Sequence, residues 1–296
     1  MSESGGRPAR LAPADWFPAG REDITVRRVA FADGLAVRVL ESGPRDGPPA
    51  VLLHGWAVTA YLWRHNIAAL ATAGHRVLAV DLPGHGLSDA PSEKGSYTLD
   101  RMTTRVGLLF DALEIAWADI AAQSMGGRIA FELARRSPER VRRLALFGAV
   151  GFGDIPPGRA FAPLLPQLPG HLPALLVTRQ MVDVVQRRVH GKLGWFTERD
   201  TDEYWAPTQF PDVVRAALQM LVEFEWAPHT EAELAAFGTP SLVVFGTEDR
   251  TVSPAQAQRL VRAMPSGRLE WIERGGHVVM EEVPERVNAM LVACFQ

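Results

Sequence analysis

Cysteine is almost absent from this chain. Cys294 is the single one among 296 residues, so an intramolecular disulfide is excluded. A reducing compartment fits that usage. An excess of one charge sign is missing too. The 31 basic and 34 acidic residues are spread without a block of either kind and leave a formal net charge of −3. That excludes the basic stripe of a nucleic-acid binder and the polybasic patch of a membrane-surface protein. No apolar run reaches the roughly 18 residues of a membrane span. The first twenty residues, MSESGGRPARLAPADWFPAG, lack the apolar stretch of a secretory signal. Their polar, Gly/Pro-rich character predicts a flexible leader over residues 1–22, on a protein expected in the cytoplasm.

What is present is the patterning of a layered α/β protein. The segments Asp23 to Ala30 and Leu35 to Glu41 alternate β-branched residues around Ala32-Asp33-Gly34, which predicts a hairpin. Short apolar runs follow at Ala50 to Leu53, Arg76 to Val80, Ile120 to Ala122, Leu144 to Phe147, Ser241 to Phe245 and Arg268 to Ile272. Such runs suit strands covered on both faces. Between them, helical periodicity runs over Ala60 to Ala73, Leu99 to Ile115, Met125 to Arg136, Pro254 to Met264 and Pro284 to Phe295. Strands alternating with helices require crossovers and a mostly parallel sheet. The alternation breaks over 151–237, where Pro156-Pro157, Pro163, Pro166, Pro169 and Pro173 precede helical patterns near Leu175 to Val189 and Pro211 to Phe224. This stretch is predicted to be a helical cap inserted between two halves of one core, 23–150 and 238–296.

Chemistry concentrates where strands end. Ile120-Ala121-Ala122-Gln123-Ser124-Met125-Gly126-Gly127 runs from an apolar strand into a helix. A serine at that corner can be held in a strained turn with its hydroxyl above the sheet edge. Small residues two before and two after it, here Ala122 and Gly126, let strand and helix approach. A serine hydroxyl needs a base. Of the eight histidines, His277 follows the last strand and precedes the last helix, and so reaches the same carboxyl edge as Ser124. A carboxylate must then orient the imidazole. Phe245-Gly246-Thr247-Glu248-Asp249 offers two, of which Asp249 is the candidate and Glu248 a solvated neighbour. The order serine, acid, histidine suits this arrangement. Oxyanion donors are expected from the backbone N–H groups of Met125 and of Trp56, in His54-Gly55-Trp56. His54 is expected to brace its loop. Trp56, Met125 and Val278 are expected to line the substrate site.

Together these motifs resemble the α/β-hydrolase superfamily, over roughly Asp23 to Gly148 and Gly238 to Gln296. Asp81-Leu82-Pro83-Gly84-His85-Gly86-Leu87-Ser88-Asp89 is typical of that family's loop after the second parallel strand, and Asp81, His85 and Asp89 are expected to be structural. The resemblance implies an eight-stranded, mostly parallel sheet flanked by helices, a cap over the site, and a mechanism with no cofactor and no metal. The chain departs from the commonest pattern at Ala122, where glycine is usual; some lipase-like members share alanine. Dehalogenases and epoxide hydrolases of the superfamily carry aspartate at the position of Ser124, which argues against those two chemistries here.

The leading expectation is a carboxylic-ester hydrolase acting on a small-molecule, ester-like substrate, as a monomer or homodimer. An apolar cap holding Phe161, Leu164, Leu165, Leu168, Trp195, Phe196, Trp205, Phe224 and Trp226 favours hydrophobic esters. The same triad could cleave a carbon–carbon bond, a thioester or an N-terminal peptide bond. Carbon–carbon hydrolases usually place tryptophan after the histidine, where this chain has Val278. An aminopeptidase needs cap carboxylates, for which Glu198, Asp202, Glu203, Glu223 and Glu225 are candidates. A non-catalytic receptor of the same fold is the alternative outside enzymes.

Overall fold

A computed structural model describes residues 10–151 and 176–296. The cap prolines from Pro156 to Pro173, together with Phe161, Leu164, Leu165 and Leu168, lie outside the described residues. In chain order the elements are β1 (Thr25–Ala30), β2 (Ala36–Ser42), β3 (Pro49–Leu53), α1 (Ile67–Thr72), β4 (Arg76–Val80), α2 (Leu99–Ala112), β5 (Ala118–Gln123), α3 (Met125–Arg136) and β6 (Val141–Phe147). After the cap's α4 (Arg179–Val189), α5 (Glu198–Trp205), α6 (Pro211–Glu223) and α7 (Glu231–Ala235) come β7 (Ser241–Gly246), α8 (Pro254–Ala263), β8 (Gly267–Ile272), α9 (Val279–Glu282) and α10 (Pro284–Phe295).

The strands form one eight-stranded sheet in the order β1-β2-β4-β3-β5-β6-β7-β8. The β1–β2 and β2–β4 pairs are antiparallel and the rest parallel. Alternation along each inner strand divides the core between two faces. Val51, Leu53, Ile120, Ala122, Leu144 and Leu146 pack on one side with residues of α2 and α3. Ala50, Leu52, Ala121, Ala145 and Phe147 pack on the other with residues of α1 and α10. Each apolar side chain buried from water this way contributes roughly 1.5–3 kcal/mol before conformational entropy is charged against it.

The chain runs from β3 out to β4 and then back past β3 to β5, which places a topological switch beside β3. Open α/β sheets bind ligands at such a point, at the carboxyl ends of the strands. Register aligns those ends: Leu53 is opposite Ala122, Gln123 opposite Phe147, and Phe147 opposite Val244.

Two expectations need correction. The leader is not loose from Arg10 onward. Trp16 is buried, the Phe17 amide donates to Glu203 Oε1 at 2.9 Å, and the Arg10 guanidinium donates to the Val177 carbonyl at 3.1 Å and stacks over the Trp205 ring. Composition predicted a polar tail, but Trp16 and Phe17 supply enough apolar surface to seat it on the cap. The single helix expected over Ala60 to Ala73 is split into a 3₁₀ turn, Ala60–Trp63, and α1. The Asn66 amide bonds Trp63 O, a three-residue return, and Asn66 Nδ2 donates to Asn288 Oδ1 of α10 at 2.7 Å.

Candidate active site

Ser124 joins β5 to α3 with φ 52° and ψ −117°, a region that costs a side-chain-bearing residue about 1–3 kcal/mol. Its backbone is fixed on both sides. The amide donates to Phe147 O at 2.9 Å, and the carbonyl accepts from Gly127 at 3.0 Å and from Val150 at 3.2 Å. Close approach explains two glycines. A Cβ on Gly126 would lie 2.5 Å from His54 O, and one on Gly55 would lie 2.3 Å from Gln123 Oε1 and 2.9 Å from Ser124 Cβ. The loop after β3 therefore presses directly against the serine turn. Ala122 fits its place in β5 without exposure.

His277 leaves the loop after β8, and its Nδ1 meets Asp249 Oδ2 at 2.8 Å, with both side chains buried. The other carboxylate oxygen of Asp249 accepts the Thr251 and Val252 amides, each at 2.8 Å. With the carboxylate an acceptor on both sides, Nδ1 carries the proton of that bond and Nε2 is the nitrogen left for other partners. The pair rests on Gly148, whose φ is +50°; a Cβ there would stand 2.8 Å from Nδ1 and 3.2 Å from Asp249 Oδ2. The His277 amide donates to Val189 O of the cap at 2.7 Å, and its carbonyl accepts from Gln123 Nε2 at 3.4 Å.

Ser124 and His277 open into one cavity of about 590 Å³, within the usual size of a small-molecule site. Trp56 and Val278 are among the residues that line it. Met125 does not: its side chain is fully buried in the core cluster beside α2 and α3. Met125 is the first residue of α3, so its side chain packs in that core while its backbone stays at the elbow. Among the described residues neither the Met125 nor the Trp56 amide donates a hydrogen bond. The Trp56 indole reaches into the cap and donates to Ala217 O at 2.8 Å.

The remaining motif residues hold the scaffold. His54 Nδ1 donates to Gly55 O at 2.7 Å and Nε2 accepts from Leu82 at 2.9 Å, and burial holds its pKa below the usual histidine range. His85 accepts the Ala57 amide, and burial, then neighbouring His54, holds it well below that range. Asp81 accepts from the Ala60 and Leu87 amides and from Arg38. Asp89 ties Arg28 to the Ala36 amide. Glu248 pairs with Lys192 at 3.0 Å.

None of the five cap acids reaches the cavity. Glu198 and Asp202 hold Arg179. Glu203 accepts the Phe17 amide, Glu223 the Gly95 and Tyr97 amides, and Glu225 the Leu99 amide. The acid on the cavity wall is Glu281, which is engaged by Arg64 and by the Tyr204 hydroxyl at 2.5 Å. Arg64 also pairs with Asp200 at 2.8 Å. Among the described residues no group of three or more His, Cys, Asp or Glu could hold a metal ion. No helix among them is long and apolar enough to cross a membrane.

Several residues of the site went unseen in the sequence: the wall residues Val182 and Val185 of α4 and Val213, Val214 and Leu221 of α6, and Gly148, which packs against the His277–Asp249 pair. The helical stripes were visible, but which stripe faces a cavity depends on how the cap docks. Of the cap aromatics expected to shape the site, Trp226 lines it, whereas Trp195 is 79% exposed.

A doubly wound sheet with a strained serine at the carboxyl edge, a His–Asp pair opening into the same cavity and helices inserted between β6 and β7 defines an α/β-hydrolase fold. The chain belongs to the alpha/beta hydrolase fold family, whose model matches residues 48–284. It is 39% identical over 298 residues to a haloalkane dehalogenase of Mycolicibacterium paratuberculosis, covering 92% of this chain and 91% of that protein. It is 33% identical over 288 residues to a 2-hydroxy-6-oxononadienedioate/2-hydroxy-6-oxononatrienedioate hydrolase of Burkholderia vietnamiensis, covering 88% and 91%. Its fold superposes on a carboxylesterase of Bacillus subtilis with a TM-score of 0.75 at 22% identity, over 95% of this chain and 94% of that one.

Proposed function

We propose that this hydrolase cleaves carboxylic esters of small to medium hydrophobic substrates through an acyl-enzyme on Ser124. His277 Nε2 takes the serine proton as Oγ attacks the carbonyl, and returns it to the leaving alcohol. Asp249 fixes the tautomer and stabilises the imidazolium. The Met125 and Trp56 amides stabilise the oxyanion, which a donor pair of this kind does by about 3–4 kcal/mol per donor. Water then attacks the acyl-enzyme with His277 again as base. The observation that carries this reading is the opening of Ser124 and the Asp249-bound His277 into one largely aliphatic cavity.

Kinship with dehalogenases does not carry their chemistry to this chain. A serine oxygen that displaced halide from an alkyl carbon would become an ether, with no carbonyl for water to attack. An acyl group on the same oxygen leaves an ester that activated water can cleave. The engagement of Glu198, Asp202, Glu203, Glu223 and Glu225 weakens an aminopeptidase reading, because among the described residues none of these five carboxylates lines the cavity to meet a substrate ammonium.

The test is hydrolysis of a chain-length series of p-nitrophenyl esters by the parent and by Ser124→Ala. The expected result is turnover that falls about 10³-fold or more in the variant. No parental turnover on any ester would remove the ester assignment and favour a carbon–carbon, thioester or peptide bond, or a receptor.

A further inference from the structure

Glu282 ends α9, five positions beyond His277, and its buried carboxylate grips two separate stretches of backbone. Oε1 accepts the Gly276 amide at 2.8 Å, and Oε2 accepts the Gly191 amide at 3.0 Å. Gly276 immediately precedes His277. Gly191 lies just past α4, in the cap. Burial leaves the Glu282 pKa above the usual carboxylate range, although the Gly276 and Gly191 amides act against it.

The two stretches also meet main chain to main chain. Val189 O accepts the His277 amide at 2.7 Å, and Arg274 O accepts the Lys192 amide at 2.9 Å. There is no room for side chains between them. A Cβ on Gly191 would lie 2.4 Å from Arg274 O and 2.5 Å from Gly276 N, and one on Gly276 would lie 2.3 Å from Gly191 N. The helix that leads into this strap, α4, lines the substrate cavity through Val182, Val185, Gln186 and Val189.

We propose that Glu282 is a positioning residue that clamps cap segment 189–192 onto the loop carrying His277, so that the seating of the cap sets where the imidazole stands relative to Ser124. The proposal rests on the reading of Ser124 and His277 as nucleophile and base. A catalytic group displaced by about 1 Å loses on the order of 10²-fold in rate, so the clamp acts on the chemical step and not on substrate affinity.

Two variants of the full chain test it from opposite sides. Glu282→Gln keeps one carbonyl acceptor but turns an amide NH₂ toward the other N–H. Gly191→Ala leaves Glu282 intact and wedges a methyl between strap and loop. The readouts are kcat and KM on the best ester, the rate at which a fluorophosphonate labels Ser124, and the melting temperature. Both variants are expected to lose about 10–100-fold in kcat and in labelling rate, with KM within about threefold. Labelling within about twofold of the parent in both, whatever the melting temperature, would overturn the proposal. So would a rise in KM at unchanged kcat. If one variant does not fold, the other decides alone. A parent that labels no faster than Ser124→Ala would instead sink the serine assignment, and this proposal with it.

Discussion

At the scale of single residues, the site depends on donors and acceptors being used up in the right order. Asp249 gives one oxygen to the Thr251 and Val252 amides and the other to His277. In Asp249→Asn the carbonyl oxygen would stay on the two amides, where a donor cannot go, and the NH₂ would face His277 Nδ1. The imidazole would have to present a lone pair there and move its proton to Nε2, the wrong tautomer for a base. The expected outcome is a fall in kcat of about 10⁴-fold with a melting temperature close to the parent's. A variant that retains kcat within tenfold would show that the pairing of Asp249 with His277 is not catalytic. Ser124, Asp249 and His277 stand out in the sequence as candidates because the chemistry proposed for them demands particular residue types at strand ends. Gly148 could not, because its requirement arises only when β6 and the loop after β8 are side by side.

Elements account for what the site accepts. Helices α4 and α6 lay Val182, Val185, Val213, Val214 and Leu221 along the cavity, with Trp226 beyond the end of α6. Trp226→Ala removes the largest cap side chain on that wall. It should move the preferred p-nitrophenyl ester toward longer acyl or alcohol chains, at a stability cost of about 3–5 kcal/mol. An unchanged chain-length optimum would place the substrate elsewhere in the cavity. Strands β3, β4, β7 and β8 and helices α3 and α10 were legible nearly to the residue, since period and length coincide there, whereas β5 and β6 begin two and three residues before their apolar runs, at Ala118 and Val141. Helices α5 and α7 were missed because they are short and polar. Their signal was present as two capping boxes, Thr197 with Asp200 and Thr230 with Glu233. The leader failed for the opposite reason: composition described its solubility and not the anchoring by Trp16 and Phe17.

Across the whole molecule, the parallel order β4-β3-β5-β6-β7-β8 gathers Gly55, Ser124, Gly148, Asp249 and His277 on one edge, from loops separated by up to 222 positions. The described part of the inserted helical segment is tied to that edge by Trp56, Glu282 and the Tyr204–Glu281 bond. Alternation of strands and helices made this architecture readable, because a right-handed parallel sheet leaves few other topologies. How the cap meets the edge was not readable, because those contacts run largely through backbone, as with Val189 and His277. The proposed route requires that an acyl group be transferred to Ser124. Its most direct test is mass analysis of the Ser124-containing peptide after the parent is mixed with excess p-nitrophenyl ester and quenched with acid within one turnover. The expected result is an added mass equal to the acyl group on that peptide, absent from Ser124→Ala. Ester turnover with no adduct, at a rate that Ser124→Ala retains, would contradict it.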